Sequence, residues 1–261
     1  MTTSEGPPLL VVDGSGLATL TLNRPRHLNR LHREDLLALQ AHLTQLEQWA
    51  QDGSARLLVI TAHGRAFCAG FNLEQLDQGE SAAQDPQLFE HTVDALEALP
   101  LPTLAQLNGS VYGGATDLAL ACDFRVGVQG MELRMPAVRL GLHYYPSGLQ
   151  RYVSRLGLQA AKRLFMLAEP VGADELLRIG YLDALVPAEG LEAAVQALAT
   201  ALLAGAPLAL RGMKLSLNEI ARGEFNTKRL RLREARCAVS DDLREGLTAF
   251  AARREPVFKG R

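Results

Sequence analysis

Two short stretches at the start of the chain, Leu9–Asp13 and Leu17–Leu22, flank a Gly-Ser-Gly turn and predict paired strands. In the second, Leu17, Thr19 and Thr21 alternate with Ala18, Leu20 and Leu22, and Asn23-Arg24-Pro25 ends it. The period then changes. Leu36, Leu39, Leu43, Leu46 and Trp49 recur at helical spacing, which predicts a helix from about Glu34 to Ala50 with Gly53 as its stop. Leu57–Thr61 is a compact apolar run, as in a buried strand, and a glycine-containing loop follows over His63–Phe71. Gln87–Leu99 is helical by pattern and is closed by Pro100 and Pro102. Thr103–Leu107 predicts a strand, Asn108-Gly109 a turn, Ala115–Ala121 a helix and Phe124–Val128 another strand. From Leu156 onward the pattern is mainly helical. The stretch from about Leu208 to Arg253, bracketed by Pro207 and Pro256, is arginine-rich and amphipathic, like arms that pack on another surface.

Strand, loop and helix thus recur at a weak period of roughly 45–50 residues. The fold class predicted is α/β, with a core over residues 1–200 and a helical region over 201–261. The length of 261 residues suits one large domain with a small appendage. A net charge of −2 gives no global basic field for nucleic acid or an anionic membrane. Three widely spaced cysteines, Cys68, Cys122 and Cys237, match neither a disulfide framework nor a zinc pattern. With a polar, short N-terminal stretch and no apolar run of membrane-spanning length, these features lead to the expectation of a cytoplasmic protein.

Candidate chemistry lies in two loops. One is Arg65-Ala66-Phe67-Cys68-Ala69-Gly70-Phe71-Asn72-Leu73; the other runs from Asn108 through Gly113-Gly114 to Asp117. Each is a loop of small residues after an apolar strand, where a ligand can approach the backbone closely. The second opens a helix, so Gly114 should offer an uncommitted N–H at the positive end of the helix dipole. Two such N–H groups facing one point would bind an oxyanion; glycines that only make tight turns would give the same local pattern.

From about residue 9 to 259 the chain resembles the crotonase (enoyl-CoA hydratase/isomerase) superfamily. The resemblance is carried by Asn23-Arg24-Pro25 with Leu28-Asn29, Ala66–Phe71, Asn108-Gly109 with Gly113-Gly114, Cys122-Asp123, Leu140-Gly141, Gln150-Arg151 and Leu156-Gly157, in that order. It implies a spiral of ββα repeats followed by a helical region that mediates trimers or dimers of trimers. It also implies an acyl-CoA substrate whose thioester becomes an enolate, held by the backbone N–H groups of Phe71 and Gly114. The implied contacts to coenzyme A fall on Arg26, Leu28, Ala66, Ala69, Asn72, Leu73 and Gly113, with Arg253 or Lys259 reaching across a subunit boundary. No metal or redox cofactor is implied; coenzyme A enters as part of the substrate.

Hydratases that this chain resembles use two glutamates to orient water and move protons. Their positions fall here on Asp117, one helical turn after Gly114, and on Ala137, which has no titratable group. Asp117 acting alone would suit a slow hydratase or a proton-shifting isomerase. Tyr144, three residues after Gly141, resembles the tyrosine of methylmalonyl-CoA decarboxylases and makes a decarboxylase the alternative. A non-catalytic acyl-CoA-binding scaffold is the second. At position 145, where related aryl-CoA dehalogenases carry a nucleophilic aspartate, this chain has Tyr145, which removes that chemistry.

Overall fold

The computed structural model describes residues 5–72, 85 and 87–261. Strands β1 (Leu9–Val12) and β2 (Leu17–Leu22) form the antiparallel pair expected. Their turn is organised by the Asp13 carboxylate, which accepts hydrogen bonds from the Ser15 and Leu17 N–H groups at 2.8 and 3.1 Å. Helix α1 (Arg33–Asp52) buries Leu36, Leu39, Leu43 and Leu46 and stops at Gly53, whose φ of 84° suits a residue without Cβ. Strand β3 (Leu57–Ala62), helix α2 (Leu88–Ala98) and strand β4 (Thr103–Leu107) follow, then β5 (Val111–Tyr112), helix α3 (Gly114–Ala121), β6 (Phe124–Val128) and β7 (Glu132–Arg134).

One sheet has the order β1-β2-β3-β4-β6-β9, where β9 is Ala184–Val186; all its pairs except β1–β2 are parallel. Strands β3 and β4 are buried almost throughout, which explains their unbroken apolar runs. A second, three-stranded sheet joins β5 and β7 with β8 (Val171–Gly172). These strands of two or three residues are too short to show a period, and the sequence reading missed β5, β7, β8 and β9.

The rest is helical. Helix α4 (Pro146–Leu156) begins ten residues before the helical stretch read from the sequence, with Pro146 in its first turn. Its buried residues are Gly148, Arg151 and Tyr152; Leu149, Tyr152, Val153 and Leu156 stand at helical spacing, a stripe that the sequence reading missed. Helices α5 (Leu158–Lys162) and α6 (Ala173–Arg178) are short. Helix α7 (Leu191–Leu203) crosses residue 200, where the sequence suggested a division. Helices α8 (Pro207–Ala221), α9 (Thr227–Ala238) and α10 (Asp241–Ala252) complete the chain. Among the described residues, no single helix is long and apolar enough to cross a membrane.

Helix α3 matters most for the site. Ala115 to Ala121 are all buried, so it is a core helix of small and apolar residues, apolar around its circumference. Asp117 is the one ionisable residue on it and is 0% exposed. A charge in such a position is costly unless paired, and the pairing defines the site.

Candidate active site

The N-terminal motif braces the first loop. Asn29 Nδ2 donates to the carbonyls of His63 and Ala66 at 2.8 and 3.0 Å, while its Oδ1 accepts from the Arg24 N–H at 2.8 Å. The Ala69 N–H donates to the Leu28 carbonyl at 2.8 Å, and Leu31 N–H to the Gly70 carbonyl at 2.8 Å. Asn72 N–H returns to the Leu31 carbonyl at 2.9 Å, making Leu31 and Phe71 a parallel bridge. In that pattern Leu31 bonds to the residues on either side of Phe71, so the Phe71 N–H points away from Leu31.

The second loop lies directly against the first. Phe67 N–H donates to the Ser110 carbonyl at 3.2 Å and Tyr112 N–H to the Cys68 carbonyl at 3.0 Å. Gly70 has φ +88°, and a Cβ there would lie 2.6 Å from the Tyr112 oxygen and 3.2 Å from the Gly114 nitrogen. Only glycine allows this approach. The Gly113 N–H is committed to the Arg134 carbonyl at 2.9 Å, whereas those of Phe71 and Gly114 have no partner among the described residues. The loops carrying the two expected donors therefore abut, and among the described residues both donors are uncommitted.

Beside them stands an aromatic wall. The Phe89 ring packs on Gly114, its Cζ 2.6 Å from where a Cβ would be. Its centroid is 6.2 Å from that of Phe71 and 6.0 Å from that of Tyr145. Tyr144 stacks on Tyr145 at 4.3 Å and leans on Phe165 at 5.1 Å.

Asp117 closes the site from below. Its Oδ2 accepts from the Tyr145 hydroxyl and from Arg151 Nη1, the latter at 2.7 Å; its Oδ1 has no partner among the described residues. Arg151, also buried, reaches Asp94 at 2.7 Å and Glu97 at 3.1 Å, and Glu97 meets Arg155 at 2.9 Å and Arg222 at 3.4 Å. Burial pushes the Asp117 carboxyl above its ordinary value, and Arg151 and the Tyr145 hydroxyl restrain that rise. Burial acts on Glu97 too, but its arginines outweigh it and hold that carboxyl below its ordinary value. A buried ion network is weak evidence for stability and better evidence for a site.

With this geometry in place, comparison with known proteins is decisive. The enoyl-CoA hydratase/isomerase family model matches residues 13–261. The chain belongs to the enoyl-CoA hydratase/isomerase family. It is 34% identical to the enoyl-CoA isomerase/hydratase fer4 of Mycosarcoma maydis, over 95% of this chain and 94% of that protein. It is 32% identical to the crotonyl-CoA hydratase of Syntrophomonas wolfei, over 93% and 94%. The structure matches that of an enoyl-CoA hydratase from Bacillus anthracis with a TM-score of 0.88 at 28% identity, covering 98% of this chain and 100% of that one. The α/β fold is thus the crotonase fold, and the chain is an enzyme of this family. The decarboxylase alternative gains nothing from these relatives, which carry hydratase and isomerase names.

Several family-implied positions fall near the first loop. Ala66 and Asn72 are buried, Ala69 and Leu28 half-buried, and Leu28 has φ 51°. Arg26 is exposed and its N–H donates to Glu5 at 2.9 Å. Leu73 lies outside the described residues. The Tyr144 hydroxyl meets that of Tyr145 at 3.4 Å; the hydroxyl on Asp117 belongs to Tyr145, a residue the sequence reading had used only to exclude another chemistry. Ala137, buried, opens a turn of 3-10 helix. Glu132 is engaged by the Tyr112 hydroxyl at 2.9 Å. Cys68 is fully buried, which pushes its thiol up to about 12, and its Sγ donates to the Asn29 carbonyl at 2.9 Å. Sequence reasoning missed Phe89 and the role of Arg151, which had served only as a register mark. No local pattern ties either to Gly114 or Asp117.

Proposed function

We propose that this enzyme shifts the double bond of short enoyl-CoA esters, with water addition as a secondary activity. The thioester oxygen sits on the Phe71 and Gly114 N–H groups, which stabilise the enolate more than the ground state. One carboxylate system, centred on Asp117, takes the proton from the carbon beside the thioester carbonyl. It returns that proton two carbons further along the chain. Such a shift needs one acid–base group used twice, whereas hydration needs one group for water and one for carbon.

The observation that carries this reading is the fully buried carboxylate of Asp117, the one ionisable residue of α3, one turn from Gly114 with no titratable side chain at Ala137. The rings of Phe71 and Phe89 against the loops favour short acyl chains. Coenzyme A is held along residues 26–28, 66–69, 72–73 and 113 as part of the substrate, with no further cofactor. Assembly as a trimer, or a dimer of trimers, would cover apolar side chains that α8–α10 leave exposed, among them Met213, Leu217, Leu247 and Phe250, the last 86% exposed. Free thiols at Cys68, Cys122 and Cys237 suit the reducing cytoplasm.

The test is turnover of 3-hexenoyl-CoA, crotonyl-CoA and methylmalonyl-CoA, followed by mass and ultraviolet absorption. The expected result is formation of the conjugated 2-enoyl ester, faster than water addition to crotonyl-CoA. Faster hydration would overturn the preference, and loss of carbon dioxide would restore the decarboxylase reading.

A further inference from the structure

Asp117 is badly placed to touch a substrate. It is 0% exposed, its Oδ2 is shared by Arg151 Nη1 at 2.7 Å and the Tyr145 hydroxyl, and its Oδ1 is sealed from solvent. The group standing over it is the half-buried Tyr145. That ring meets Phe89 edge-on at 6.0 Å, and Phe89 packs on Gly114. Along α3, Gly114 and Asp117 are separated by about 4.5 Å of helix axis. The Tyr145 hydroxyl is therefore held by the carboxylate that α3 places one turn after Gly114, and its ring joins the wall of Phe71 and Phe89 that packs on Gly114.

Gly148 shows how closely this arrangement is built. A Cβ there would lie 2.5 Å from Tyr144 Cε1, 2.8 Å from Tyr145 Cε2 and 2.9 Å from Asp117 Oδ2. The first turn of α4 thus presses both tyrosines and the carboxylate together, leaving no space for a methyl group.

We propose that Tyr145 is the catalytic residue that exchanges protons with the substrate, relaying each one between a substrate carbon and the Asp117 carboxylate. The inference rests on the enolate reading above and adds the group that performs the transfer. In the forward step the C–H bond beside the thioester carbonyl breaks and its proton goes to the Tyr145 oxygen. The phenolic proton passes at the same time to Asp117 Oδ2. The bonding electrons become the enolate, so the negative charge leaves Asp117 and appears on the thioester oxygen. Reversal of both transfers at the distant carbon completes the shift, and Arg151 remains a cation throughout. Burial first, and then the neighbouring Asp117 charge, push the Tyr145 phenol well above its ordinary value. A free phenolate is thereby avoided, which requires the two transfers to be coupled. Tyr144 has no bond to Asp117 and serves as the stacked support.

The test is exchange of the α-protons of butyryl-CoA for deuterium in D2O by wild-type, Tyr145→Phe and Tyr144→Phe enzymes, read by mass, with butyryl-CoA Kd measured separately. The expected loss in Tyr145→Phe is on the order of 10²–10⁴-fold in exchange rate, with Kd nearly unchanged, and the loss in Tyr144→Phe, which keeps the stacked ring and removes only the 3.4 Å hydroxyl contact, is far smaller. Gly148→Ala, which displaces the same hydroxyl, should also lose exchange. A Tyr145→Phe enzyme that exchanges at the wild-type rate overturns the relay and leaves the enolate reading standing. A variant whose exchange falls only in proportion to weakened binding overturns it too, by reducing Tyr145 to packing. Wild-type enzyme that exchanges no α-proton overturns both.

Discussion

The site has two halves made of different material. The first, residues 63–72 and 108–114, is main chain: its working groups in the proposed function are N–H donors, and its loops are set by backbone hydrogen bonds and by glycines that let them touch. The second, Asp117, Tyr145 and Arg151, is side chain: the groups proposed to move the proton are buried charges and a hydroxyl brought together from α3, α4 and the residue before it. A backbone donor survives almost any substitution at its own residue, as Phe71 illustrates. A side-chain acid or base is lost with a single change, as at Ala137. The contrast explains how one scaffold can stabilise the same enolate while the reaction built on it differs, and it fits relatives named as both hydratases and isomerases.

Breaking the backbone half should have the largest effect. Gly70→Ala forces a left-handed residue and sets a methyl 2.6 Å from the Tyr112 oxygen. Moving one donor in this way should cost on the order of 10²–10³ in kcat, measured on protein whose fold is verified by circular dichroism. Breaking the side-chain half should affect stability as well. Arg151→Leu leaves Asp117 buried without its cation, while Glu97 keeps Arg155 and Arg222, and urea unfolding should show a loss of about 3–5 kcal/mol.

A pH profile separates the halves further. Asp117 must be ionised to accept a proton, and burial raises its folded value despite Arg151. Activity should therefore fall, as pH is lowered, at a value above the roughly 3.9 of a free aspartate. That acid limb should vanish in Asp117→Asn along with most of the rate, while α-carbonyl polarisation by the loops persists. A limb at or below the free value would mean that Arg151 dominates over burial.

Smaller effects sharpen the boundary between the halves. Phe71→Ala and Phe89→Ala remove rings 6.2 Å apart beside Gly114 without touching the donor or Asp117. Each should move the chain-length preference toward longer acyl groups, by about tenfold in relative kcat/KM per methylene accommodated. Smallest is Arg26→Ala, which removes an exposed charge from the implied coenzyme A contact; KM should rise about two- to threefold with kcat unchanged.

The backbone half was legible in the sequence because glycine, proline and small residues are themselves the device. Gly70, Gly113 and Gly114 could be placed in loops before any coordinates, whereas Asn29 entered only as a motif residue and its brace on the first loop, through the His63 and Ala66 carbonyls, needed the fold. Asp117 was reached through the resemblance, which puts a glutamate position there; helical spacing then fixes its distance from Gly114. The roles of Tyr145 and Arg151 were not legible. Helix α4 carries Leu149, Tyr152, Val153 and Leu156 at helical spacing, but the sequence reading began its helical stretch only at Leu156 and so missed the start at Pro146, and with it the turn that aims Tyr145 rather than Tyr144 at Asp117. Phe89 was hidden for another reason: its partners, Phe71, Gly114 and Tyr145, come from three separate elements. Long-range side-chain convergence of this kind leaves no periodic trace.

The most direct test of the central claim, that main-chain donors polarise the thioester while side chains move the proton, is the carbonyl stretch of bound butyryl-CoA in difference Raman spectra. The account predicts a marked downshift relative to free ligand in wild type, preserved in Tyr145→Phe and lost in Gly70→Ala. A downshift that disappears in Tyr145→Phe, or persists in Gly70→Ala, would contradict that division.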